Sequence, residues 1–103
     1  MTKDDPFAKL QAESARHRLN FIKTEVALCF TFSTIADRKY KTGNQESAAR
    51  SMANAQKAYE TVSLFLSDPK HSKHMTGEER HDMTAELERL RQRLDGLIWK
   101  FRK

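Results

Sequence analysis

Residues 19–42 decide the fold. They read LNFIKTEVALCFTFSTIADRKYKT, without a single glycine or proline. Leu19, Ile22, Val26, Cys29, Ser33, Ala36 and Tyr40 recur in steps of three and four, which places them on one seam of a helix. A second line, Phe21, Leu28, Phe32 and Ile35, widens that seam into a broad arc, so the helix needs two neighbours. Phe30 stands well away from the seam. It is hard to bury in a three-helix bundle and marks an apolar excess.

The helix extends upstream. Asp5-Pro6 is a start signal: Asp caps, and proline at the first helical position loses no hydrogen bond. Ala8, Ala12 and Ala15 continue the seam, with Phe7 and Leu10 adding bulk against the loop and the start of the third helix. Helix one therefore spans about residues 6–42, either continuous or bent or broken near residues 16–20. Gly43 suits the left-handed position past a helix end, and Asn44 caps the next helix.

Helix two spans about residues 45–67. Its stripe is Ala48, Met52, Ala55, Tyr59, Val62 and Leu66, with Phe65 beside it; the small residues allow close approach to helix one. Asp68-Pro69 ends it. Residues 68–75 read as a polar connection. Thr76 and Glu79 form a capping box that opens helix three, about residues 77–102. Its stripe is Met83, Leu87, Leu90, Leu94, Leu97 and Phe101, with Ile98 alongside and Gly96 off the stripe. The expected architecture is a single all-α domain over residues 1–103, an antiparallel up-down-up three-helix bundle with a long first helix. Helix two, returning from Gly43, reaches only the level of residue 19, so residues 6–18 overhang.

The 103-residue chain carries a net charge of +5. Residues 1–88 hold 13 Lys or Arg against 13 Asp or Glu, and residues 89–103 hold six against one. The whole excess sits on Arg89, Arg91, Arg93, Lys100, Arg102 and Lys103, with Trp99 among them. A basic, aromatic-bearing helix suits a phosphate backbone. Glu86 and Glu88 compete for the arginines, however, and cations at a helix C-terminus are stabilising by themselves. The apolar side of this helix is needed for the core, which argues against membrane insertion. No run of about 18 apolar residues exists for a span. Met-Thr-Lys-Asp-Asp-Pro lacks the apolar segment of a signal peptide, so a cytoplasmic location is expected.

Catalytic signals are weak. The lone Cys29 lies on the buried seam and reads as a small hydrophobe. Gly43, Gly77 and Gly96 are isolated, so no phosphate-cradling loop exists. Acidic pairs such as Asp4-Asp5 and Glu78-Glu79 sit at helix starts, where the dipole accounts for them. His71, His74 and His81 offer a remote zinc set, but His71 and His74 fall in the connection and read as a solvated linker. His17 reads as a surface residue. The expectation is a non-enzyme with no cofactor and no bound metal.

Residues 32–60 resemble a single tetratricopeptide-repeat hairpin. Phe32, Ile35 and Ala36 fit its first cluster, Gly43 its turn, and Ala48, Met52 and Ala55 its second helix. Lys39 and Glu60 stand where that family carries an aromatic and a proline. The three-helix plan is also similar to microtubule-interacting-and-transport domains. Either resemblance implies protein or peptide binding along a helical groove, with helix three as the cap.

The function expected is a protein-interaction or self-association module whose contacts centre on Phe30 and Trp99, with a protein, a peptide or a second copy as partner. The alternative is a nucleic-acid-binding accessory protein acting through the basic C-terminal helix.

Overall fold

A computed structural model describes residues 6–73 and 75–102, with backbone alone for residues 6–12, 15 and 72. Asp5, His74 and Lys103 lie outside the described residues, as do the expected contacts of Phe7, Ala8, Leu10, Ala12 and Ala15. The described chain is 91% helical and holds no strand. It forms four helices, α1 (Pro6–Lys41), α2 (Gln45–Ser67), α3 (Pro69–Ser72) and α4 (Gly77–Phe101), where the sequence reading gives three.

The additional element is the single turn α3. Asp68 both ends α2, giving its backbone N–H to the Phe65 carbonyl, and caps α3, its side chain accepting from the Lys70 N–H at 2.9 Å. Proline then occupies the first helical position of α3. Of the alternatives for the first helix, a break near residues 16–20 is absent, and α1 runs unbroken for 36 residues. The molecule is correspondingly long, 62 × 20 × 16 Å.

The helix ends follow from side-chain chemistry. At the end of α1, Gly43 takes φ +85°; its N–H reaches the Tyr40 carbonyl, and the Asn44 N–H reaches that of Lys39. These two bonds close a Schellman turn, which needs the left-handed residue. Asn44 Oδ1 then accepts from the Ser47 N–H at 3.1 Å. At α4, Thr76 and Glu79 complete a reciprocal capping box, both bonds at 3.0 Å.

Of the α1 seam, Leu19, Ile22, Val26, Cys29, Ser33 and Ala36 are buried, and Tyr40 is half-buried, stacked on Phe101 of α4 with centroids 4.5 Å apart. On α2 the buried line drifts by one position, so Ala58 and Phe65 are buried while Tyr59 and Leu66 are half-buried. Alanine at 58 lets the helices come close, and the bulkier Tyr59 lies at the flank. On α4, Met83, Leu90, Leu94 and Leu97 are buried, and Leu87, Ile98 and Phe101 pack partly against the core.

Candidate interaction surface

Two sides of α1 are engaged differently. On one side, Arg93 of α4 donates from Nε to Ser33 Oγ at 2.6 Å and from a terminal nitrogen to Thr34 Oγ1 at 2.9 Å. One turn on, Lys100 Nζ reaches Asp37 Oδ1 at 2.6 Å, and Lys41 approaches the other carboxylate oxygen at 3.2 Å. The hydrogen bond from Lys100 chiefly holds the Asp37 carboxyl below its ordinary value. Phe30 lies on this side, one turn before Ser33 and Thr34, and its carbonyl accepts from Ser33 Oγ at 2.8 Å. α4 therefore covers the face on which the sequence reading places an exposed excess: Phe30 is half-buried against the core, not exposed.

The opposite flank of α1, beyond α2, carries the exposed apolar groups. Phe21 is 56% exposed, Leu28 38% and Ile35 36%, at strict intervals of seven residues, and Leu64 of α2 is 70% exposed. The half-buried Phe32 fills the line between Leu28 and Ile35. Beside these residues runs a groove of about 410 Å³ between Arg18, Phe21 and Ile22 of α1 and Thr61, Leu64 and Phe65 of α2. Thr61 also lines a second hollow of about 300 Å³, shared with Glu25, Leu28, Phe32 and Lys57. The depression thus follows the α1–α2 junction.

Asp68 and His71 close its end. His71 is not the solvated linker residue of the sequence reading. It is half-buried, its ring stacked on Phe65 with centroids 4.5 Å and planes 10° apart, and Nε2 lies 3.7 Å from Asp68. The reason is α3, whose single turn folds His71 back over the end of α2. His71 Nδ1 and Arg18 Nε are buried without a hydrogen-bond partner among the described residues. His81 and His17 are exposed. Among the described residues, no three His, Cys, Asp or Glu side chains gather where they could hold a metal.

Trp99 is 66% exposed near the end of α4, towards the other end of the molecule from Phe21. The basic residues around it are largely engaged within the chain. Arg93 and Lys100 bind α1 as described; Arg91 pairs with Glu88 at 2.6 Å, and Arg89 with Glu86 at 3.0 Å. Arg102 is exposed at the C-cap.

Cys29 is fully buried, and its thiol donates to the Ala55 carbonyl at 3.3 Å. Burial pushes the thiol's pKa up, against the opposing pull of Arg93. That is the reverse of what a nucleophilic cysteine requires. Among the described residues, no helix is long and apolar enough to cross a membrane. No family model, curated protein or solved structure matches the chain.

The sequence reading centres the apolar excess of α1 on Phe30, which is half-buried, whereas Phe21, Leu28 and Ile35 are the exposed positions. The interval of seven that links these three is visible in the sequence.

Proposed function

We propose that this protein is a non-enzymatic interaction module that docks an amphipathic helix on the α1–α2 flank. The observation that carries the reading is the line Phe21, Leu28 and Ile35, more than a third exposed at each position and flanked by Leu64. An apolar ridge beside a groove is the geometry in which a helix seats its own apolar face. Lys100, Asp37, Arg93 and Ser33 support an up-down-up arrangement, in which α4 runs alongside α1 and leaves this flank open. The hairpin likeness to tetratricopeptide repeats belongs to the same proposal.

The intramolecular engagement of Arg93 and Lys100 favours this reading over nucleic-acid binding, because phosphate contact would have to displace bonds that hold α4 to α1. Phe30 becomes a core-flanking residue in this account, and Trp99 lies outside the docking line.

The test separates folding from binding. At sub-micromolar chain, Leu28→Glu should leave stability within about 0.5 kcal/mol, as exposed substitutions do, while weakening binding of an added amphipathic leucine-heptad peptide. Phe30→Glu should lower the melting temperature. Equal peptide binding by wild type and Leu28→Glu contradicts the proposal.

A further inference from the structure

We propose that the occupant of this flank is a second copy of the same chain, docked antiparallel along α1. The inference rests on the interaction reading above and adds the partner. The line Phe21, Glu25, Leu28, Phe32, Ile35, Lys39 alternates steps of four and three, the spacing of a two-helix seam. Its charges are polar in placement. Glu25 is half-buried towards one end, and Lys39 is exposed at the other, with the exposed Arg38 next to it in sequence and off the line. None of the three makes an ion pair among the described residues.

A parallel partner would set Glu25 against Glu25 and the cations against each other. An antiparallel partner, turned about a two-fold axis between Leu28 and Phe32, packs Leu28 on Phe32 of the second copy. It also brings Glu25 within one helical turn of Arg38 and Lys39 of that copy. The contact is isologous, so each favourable pair occurs twice and the assembly closes at two chains. Leu64 lies beside the seam and is covered at its margin. Phe21 falls opposite Lys39, whose aliphatic stem and ammonium both suit an aromatic face.

The test is mass by light scattering, from micromolar to near-millimolar chain, with helicity followed by circular dichroism. Wild type should approach twice the 12.0 kDa of one chain. Leu28→Glu should raise the dissociation constant on the order of 100-fold, since it enters the contact twice. Glu25→Lys alone should weaken the dimer, and combining it with Arg38→Glu and Lys39→Glu should restore it; that charge reversal reports on the contact even if Leu28→Glu disturbs folding. A dimer indifferent to Leu28→Glu and to the charge reversals overturns the proposal. A monomer at every concentration also overturns it. If that monomer still binds an added amphipathic leucine-heptad peptide, only the second-copy inference fails. If it does not bind the peptide, the interaction reading fails with it.

Discussion

Arg93 Nε donates to Ser33 Oγ at 2.6 Å, joining the middle of α4 to a hydroxyl that is almost completely buried on α1. The bond converts what reads as a basic surface residue into a tie between helices. Ser33 in turn donates to the Phe30 carbonyl, so the hydroxyl is satisfied in both roles. Replacing Arg93 by Ala leaves Ser33 and Thr34 without this donor. The expected cost is about 1–2 kcal/mol. In a domain of this size a thermal melt should show a drop of about 4–8 °C per kcal/mol.

Asp37 sets an acid limit on the same contact. Its pKa in the folded chain lies below the ordinary 3.8 because Lys100 and Lys41 donate to it. The unfolded chain therefore takes up the proton first as the pH falls. The carboxylate's contribution is fully present above the ordinary value and is lost as pH falls through the lowered folded value. Asp37→Asn should be less stable than wild type at neutral pH by about 1 kcal/mol or less, given the partial exposure of the pair. Denaturant melts at successive pH values should show the gap closing below about pH 4.

Two glycines should respond oppositely to alanine. Gly43 holds φ +85°, where a Cβ is strained whatever the space, and Gly43→Ala should destabilise by about 1 kcal/mol. Gly96 is exposed within α4, and nothing stands within 4 Å of a Cβ built there. Gly96→Ala should stabilise by up to about 1 kcal/mol through helix propensity alone. Urea denaturation of the two variants beside wild type checks both signs.

Cys29 should be inert in the native state. The thiol is buried, hydrogen-bonded to Ala55 and shifted away from the thiolate. Labelling by a disulfide reagent should proceed only through opening of the α1–α2 contact and be slower than in urea-unfolded chain by orders of magnitude. Labelling at the unfolded rate would show that the α1–α2 packing is loose.

The helices were legible in the sequence wherever a single side chain decides the outcome. Gly43, Asn44, Thr76 with Glu79, and the seam from Leu19 to Ala36 all behave as their chemistry requires. The short α3 was signalled too, because Asp68-Pro69 repeats the cap-and-proline pair that marks a helix start at Asp5-Pro6. Reading it only as a stop hid the turn that carries His71 onto Phe65. The exposed flank was harder to place, because periodicity gives the angle of each residue around α1 but not which neighbour covers it. Phe30 and Leu28 both lie off the seam centre, on opposite sides. Only the position of α4, fixed by Arg93 and Lys100, makes Phe30 half-buried and leaves Leu28 open.

The central claim is that the Phe21–Leu28–Ile35 flank is where this protein meets its partner. The most direct measurement is a backbone amide NMR spectrum followed on dilution, with DNA added in a separate arm. The account predicts concentration-dependent shifts at Phe21, Glu25, Leu28, Phe32, Ile35 and Leu64, with little change at Phe30 or in residues 89–102. Amides on the flank that stay fixed on dilution, with shifts confined to residues 89–102 on adding DNA, would contradict it.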